Sequence, residues 1–332
     1  YLGTGGFALV EANGGDEAFD RSFRTLVEDE FPDERLRQLP SDHPVYTTYF
    51  DLPRDQRPPL YAVHGACWMS ILYSPEGISC AWDMDRQNHP HFKLGINILA
   101  YVTGMRKLEG KMTMRRKPID VPEEKPPQEL EGAFVVGQLV HGGNWQPHRK
   151  VWRRVLEVAN REAGVGLFNK PVSIDPGRES LFQAHLLNVT GTETLGLSEA
   201  TRKKLRRYVE RGGFIFAEAA CGSRAFDSSF REMMEKVFPE HPLQEIPRGH
   251  PLWELGRELD NVKYSEMVRK ERPNLDRPVL EFVEMDGRAV VVYSRYDLSS
   301  AIAGHPCFSC PAVLEPSASE IMLKVILYAL AG

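Results

Sequence analysis

The sequence predicts an α/β protein in which a parallel sheet lies between two layers of helices, with the back half of a second such unit in front of it. Three observations carry this. Between Gly132 and Gly332, continuous apolar runs of strand length alternate with amphipathic runs of helix length, as in strands buried on both faces and joined by helices. Residues Gly5 to Pro44 lie without a gap on Gly212 to Pro251, sharing a Gly-Gly-Phe, an Ala-Phe-Asp, a Ser-Phe-Arg, a Phe-Pro and a His-Pro, which marks a repeated unit. In both segments an apolar run passes straight into a turn of small residues and then into a helical pattern.

Taken in order, "AFVVGQLV" reads as the first strand of the longer unit. In "HRKVWRRVLEVANREAG" the apolar positions Val151, Trp152, Val155, Leu156 and Ala159 fall on one helical face, and Gly164 is a stop signal. "KPVSI" and "HLLNVTG" read as the next two strands. Ser198 is placed to cap "SEATRKKLRRYVERGG", whose Leu205, Tyr208 and Val209 face inward. "FIFAEA" is the fourth strand, followed by a helix on the spacing Phe226, Phe230, Met233, Met234, Val237 that is expected to begin near Asp227. "AVVVYS" and "EIMLKVILYALAG" complete the sheet and its cover. The match between the halves resumes at Arg57-Pro58 with Arg277-Pro278, at Tyr73-Ser74 with Tyr293-Ser294, and at Tyr101 with Tyr328. The organisation expected is therefore a truncated first repeat over 1–104, a linker over 105–131 that is proline-rich from Pro118 on, and a complete second repeat over 132–332. A first repeat without its leading strands should pack on something, whether the second repeat, upstream residues or another protein.

The chain has 332 residues, 42% of them hydrophobic and 26% charged, with a formal charge of −5. That mild acidity argues against nucleic acid as a partner, since phosphate binding needs a clustered basic surface. No apolar run is long enough to span a membrane. The chain starts at Tyr1 and shows no signal peptide, which leaves cytoplasm and bacterial cell envelope both open. The sequon Asn188-Val189-Thr190 falls in an expected buried strand and is set aside.

In parallel sheets ligands bind beyond the carboxyl ends of the strands. The residues delivered there are His141, Asn144 and Trp145 after the first strand, Asp175 after the second, and Thr192 and Glu193 after the third. Glu218, Cys221, Ser223 and Arg224 follow the fourth, and Asp297 a later one. A pocket lined by Trp145, Glu193, Glu218 and Ser223 is the expectation, with a tryptophan wall beside carboxylates. Ordinary loop residues are the plain alternative.

The stretches "GGNWQP", "VTGTETLGLSEATRKKLRRYVERGGFIFAEAACGSRAFDSSFR", "FPEHPLQEIPRGHPL" and "YALAG" resemble the bacterial family catalogued as domain of unknown function 4159. The resemblance covers Gly132 to Gly332 and, for the back half only, Tyr1 to Gly104. It implies a three-layer, flavodoxin-like fold of the class I glutamine amidotransferase-like kind, in a bacterial multidomain or cell-envelope context. The family more often shows a Gly-His pair after the third strand and two acidic residues after the fourth. Here Gly191-Thr192-Glu193 and Glu218-Ala219 stand in those places.

Catalytic members of that fold carry a cysteine on the strand-to-helix turn where Cys221 sits. A nucleophilic thiolate needs small neighbours, a helix amino end close by and a histidine to take its proton. Ala219, Gly222 and Ser223 meet the first need, but a helix starting near Asp227 is too late for the second. No histidine with a carboxylate two residues on supplies the third. His250 recurs as His43 where Gly14 replaces Cys221, and so reads as a turn residue ahead of a helix. The reading that results is a binding or assembly protein with a degenerate triad, acting with a protein partner or an upstream domain of the same chain. The alternative is a cysteine-dependent hydrolase or amidotransferase using Cys221.

The cysteines admit a second use. "GHPCFSC" sets His305, Cys307 and Cys310 close together, and with Cys221 they would supply four soft ligands for zinc. A single Cys-x-x-Cys equally fits a local disulfide or free thiols. Cys80, His89 and His91 occupy the matching region of the first repeat, and Cys67 reads as an isolated strand cysteine. Asp227 with Arg231, and Asp20 with Arg24, are spaced for helical ion pairs.

Overall fold

The computed structural model describes residues 2, 6–31, 35–65, 68–83, 88–103, 133–148, 151–163, 167, 170–303 and 310–331. The chain divides into two compact units, Tyr1–Glu124 and Lys125–Gly332.

The first unit contains β1 (Ala8–Glu11), α1 (Glu17–Glu30), β2 (Arg37–Gln38), β3 (Tyr61–Gly65), β4 (Trp68–Ser74), α2 (Cys80–Asp83) and α3 (Pro90–Thr103). Its sheet has the order β1-β4-β3-β2, with β1 parallel to β4 and the other pairs antiparallel. Helix α1 begins where the Asp16 carboxylate accepts the amides of Ala18 and Phe19, satisfying donors that the first turn leaves open. It buries Phe23 and Val27 against Val63, Ile71 and Tyr73. Leu94 and Ile98 of α3 pack with Ala62 and Leu72 of β3 and β4.

The second unit contains β5 (Val136–Leu139), α4 (Val151–Ala163), β6 (Val172–Ile174), β7 (Leu186–Gly191), α5 (Glu199–Glu210), β8 (Phe214–Ala219), α6 (Arg224–Val237) and β9 (Gln244–Glu245). These are followed by α7 (Glu266–Glu271), β10 (Glu281–Met285), β11 (Arg288–Ser294), α8 (Ser299–Ile302) and α9 (Ser317–Ala331). The seven-stranded sheet has the order β6-β5-β7-β8-β11-β10-β9. Five strands, from β6 to β11, run parallel, whereas β10 is antiparallel to both its neighbours. The sheet is thus mostly rather than wholly parallel. The β10 and β11 pair is joined by the tight turn Asp286-Gly287, both with positive φ, and a two-residue link of that kind permits only antiparallel pairing.

Alternate strand residues point to opposite faces, and each face has its own core. On one, Val136, Leu186, Phe214 and Phe216 pack with Trp152 and Val155 of α4 and with Ile321 and Val325 of α9. On the other, Leu187, Val189, Ile215, Val291 and Tyr293 pack with Leu205 and Tyr208 of α5 and with Phe226, Phe230 and Met233 of α6. Fully burying one such side chain contributes roughly 1.5–3 kcal/mol, so the strand runs and helix stripes read from the sequence are what hold the layers.

The order and strand senses of β1-β4-β3-β2 are those of β8-β11-β10-β9. The likeness extends to a register shift after Val63 in β3 and after Val283 in β10. Asp20 accepts from Arg24 and from the Tyr73 hydroxyl at 2.6 Å, and Asp227 accepts from Arg231 and from the Tyr293 hydroxyl at 2.7 Å. These aspartates therefore tie helix to sheet, beyond the locally paired face expected from their spacing. His43 and His250 each accept, through Nδ1, the amide two residues on at 3.2 Å, capping short 3-10 turns. The turn role read for them is what the structure shows.

Candidate functional site

Strand β8 delivers its chain to a turn at Ala220–Gly222 in which Cys221 has φ 59 and ψ 13. A side chain in this left-handed region costs about 1 kcal/mol or more, so the cysteine is held against a local preference. Gly222 also has φ 59, and a Cβ there would meet Pro311 Cδ at 2.6 Å. Only glycine lets the segment that follows Cys310 come this close to the turn. Helix α6 starts directly afterwards, at Arg224, because the Ser223 hydroxyl accepts the Phe226 amide. The expected start near Asp227 is therefore corrected. The apolar spacing begins late because Arg224 and Ala225 of the first turn face solvent, and periodicity cannot see an exposed first turn.

The loops after β5, β7 and β8 converge on Thr192. Its hydroxyl accepts from Asn144 Nδ2 at 3.1 Å and its carbonyl accepts from Ser223 Oγ at 2.8 Å. His141 sits beside them, with Nε2 2.9 Å from the Thr190 carbonyl and Nδ1 accepting the Gly143 amide at 3.2 Å. Burial lowers its pKa, against the weaker pull of Glu193. His141, Asn144, Thr192 and Ser223 are thus brought together as the switch-point rule predicts. Glu193 and Arg224 are exposed, and Trp145 is half-buried. Asp175 follows β6, its Oδ1 accepting the Gly177 amide at 2.8 Å.

Glu218 and Asp297 are buried at 1% and 0% exposure. Glu218 Oε1 accepts the Leu298 and Ser299 amides at 2.6 and 2.8 Å, and Oε2 accepts the Ser299 hydroxyl at 2.6 Å. Burial and the neighbouring Asp297 push its carboxyl up to about 7, against the pull of these three donors. Glu11 of the first unit holds the Ile78 and Ser79 amides, each at 2.9 Å, and the Ser79 hydroxyl in the same way. Glu218 is accordingly a brace between β8 and the start of α8.

Asp297 Oδ1 accepts the Ser300 amide at 2.7 Å, and Oδ2 accepts the amide of Cys221. His148, at the turn before α4, has a side chain only 3% exposed and its Nε2 is 3.9 Å from Asp297 Oδ2. Burial lowers the imidazole's pKa, with Asp297 opposing. One ligand atom each of His148, Cys221 and Asp297 lies within 4.8 Å of the other two. Asp297 and Cys221 were legible as loop residues at strand ends. His148 was missed because "HRKVWRRV" reads as the opening of a helix, although it stands only three residues beyond the Trp145 already placed at the same strand end.

Cys221 and Cys310 are both disulfide-bonded, and Cys80, at the start of α2, is a free exposed thiol. His305 and Cys307, the remaining members of the zinc set suggested by the sequence, lie outside the described residues, as does Cys67.

Fold and site together define an α/β protein whose candidate centre lies at the carboxyl ends of parallel strands, around a cysteine held in a left-handed turn. The chain belongs to the family described as Domain of unknown function (DUF4159), whose model matches residues 1–103 and 135–330. No curated protein matches it. Among the described residues no helix is long and apolar enough to cross a membrane.

Proposed function

We propose that the second unit carries a thiol-dependent hydrolase or amidotransferase centre with Cys221 as nucleophile, on a class I glutamine amidotransferase-like scaffold whose back half the first unit repeats. The observation that carries this reading is the convergence of Cys221, His148 and Asp297 at a strained turn. The matching positions of the first unit are Gly14, with φ 65, and Gly77. The glutamate brace, the helix cap and the tyrosine-aspartate tie recur in both units, whereas these side chains occur in the second alone.

In the reduced protein, neutral His148 takes the proton of the Cys221 thiol, and helix α6, whose amino end starts three residues on, favours the thiolate. The sulfur attacks a carbonyl carbon, and the leaving amine departs with the proton from His148. Water then cleaves the thioester, giving the acid and returning a proton to sulfur. Asp297 orients the turn through the Cys221 amide and favours the imidazolium formed in between.

The disulfide at Cys221 makes this centre latent until a reductant opens it, and it is also what favours the second reading, a binding or assembly protein. Alkylation of the reduced protein separates the two, with exposed Cys80 as internal reference. Cys221 should react about tenfold faster than Cys80 near neutral pH and lose that advantage in His148→Ala. A Cys221 that reacts no faster than Cys80, and is indifferent to His148, would leave the binding reading.

A further inference from the structure

We infer that, once its disulfide is opened, the second unit holds one zinc-class divalent cation between His148, Cys221 and Asp297. A soft thiolate, an imidazole nitrogen and a carboxylate oxygen are the donor types zinc accepts, at about 2.0–2.3 Å each. Donor atoms around one tetrahedral ion with such bonds stand about 3.3–3.8 Å apart, and here all three lie within 4.8 Å of one another, so they need close by only about 1 Å. The donors come from three different connections, those that follow β5, β8 and β11, with His148 at the turn before α4.

A second observation points the same way. Ser300, whose amide fixes Asp297 Oδ1, is 0% exposed, and its own hydroxyl has no hydrogen-bond partner among the described residues. A buried hydroxyl without a partner costs about 1–3 kcal/mol, and this one belongs to the residue whose amide holds the Asp297 carboxylate. Cys310, 6% exposed and oxidised like Cys221, precedes the Pro311 that touches Gly222.

The step balances with a water-soluble phosphine as reductant. For the disulfide at Cys221, the S–S bond breaks, two thiols form, and one phosphine leaves as its oxide with an oxygen from water. Each ligating thiol then loses its proton to solvent as the metal–sulfur bond forms. Metal binding and nucleophilic attack use the same sulfur lone pair, so an occupied site is a silenced one. This assignment does not depend on the hydrolase reading.

The test is a cobalt(II) titration of the full chain after phosphine reduction under inert gas, followed by displacement with zinc. One cobalt per chain is expected, with thiolate-to-cobalt charge-transfer absorption. The oxidised protein should give no such band. His148→Ala and Cys221→Ser should weaken binding by more than about tenfold. Asp297→Asn should do the same, and if it fails to fold, Ser300→Ala, which leaves the donors in place, should keep the band. No charge-transfer band in the reduced protein, or a band unchanged in Cys221→Ser and His148→Ala, overturns the assignment. Alkylation of Cys221 is measured separately on metal-free reduced protein, so either idea can fail while the other stands.

Discussion

Cys221 pairs a demanding side chain with a backbone conformation that glycine prefers, and that conflict can be measured. Because Gly14 adopts nearly the same angles, replacing Cys221 by glycine should relieve the strain without altering the turn. Under reducing conditions Cys221→Gly is expected to raise stability by about 1 kcal/mol, while Cys221→Val should lower it by at least as much. Denaturant midpoints of the three reduced proteins decide this, and a glycine variant less stable than the parent would contradict it. His43 offers a pH test. Burial, then the nearby His64, hold its pKa down at about 4, with Asp42 opposing. The unfolded chain takes up this proton near pH 6.5, so the stability contributed by neutral His43 is present above about 6.5 and is lost as pH falls towards 4. After discounting for partial exposure the loss is about 1 kcal/mol. His43→Asn, which keeps a capping acceptor, should flatten the melting temperature of the first unit between pH 7 and 4. An unchanged slope would rule His43 out as its source.

At the scale of elements, the contacts that the two units share show what a helix-on-sheet unit needs to stand. Phe230 stacks on Tyr293 with ring centroids 4.4 Å apart, and the Tyr293 hydroxyl donates to Asp227. Tyr293→Phe keeps the ring and removes the donor, which should cost about 1–2 kcal/mol because the acceptor is charged. Double-mutant cycles with Asp227→Ala should show strong coupling between the two, and additive costs would dissolve the proposed tie. The α6 cap is separable from it. Ser223→Ala removes both the acceptor for the Phe226 amide and the link to Thr192, and should cost about 1–2 kcal/mol. If the loops after β7 and β8 act as one surface, amide exchange should also quicken around Thr192, as read by mass spectrometry.

Across the whole second unit, protection should follow position in the sheet. Strands β7, β8 and β11 have a neighbour on each side and a core on each face, so their amides are expected to exchange slowest. The edge strands β6 and β9, three and two residues long, should exchange fastest. Slow exchange at an edge instead would mean that something covers it.

The sequence by itself determined the strands and helices of the second unit, since an apolar run or a helical stripe is a local record of what must be buried. It determined the repeated segment as well, and with it the turn histidines, whose caps involve only neighbouring residues. It also placed His141, Asn144, Thr192 and Ser223 at one end of the sheet, because strand direction follows from the alternation of elements. Tertiary structure alone decided that Asp297 reaches the Cys221 amide across 76 positions of chain and that His148 lies beside both. It decided too that Glu218 is turned inward as a brace. Those contacts join the ends of strands distant in sequence, and no period or spacing along the chain encodes which loop residues face one another once the sheet has formed.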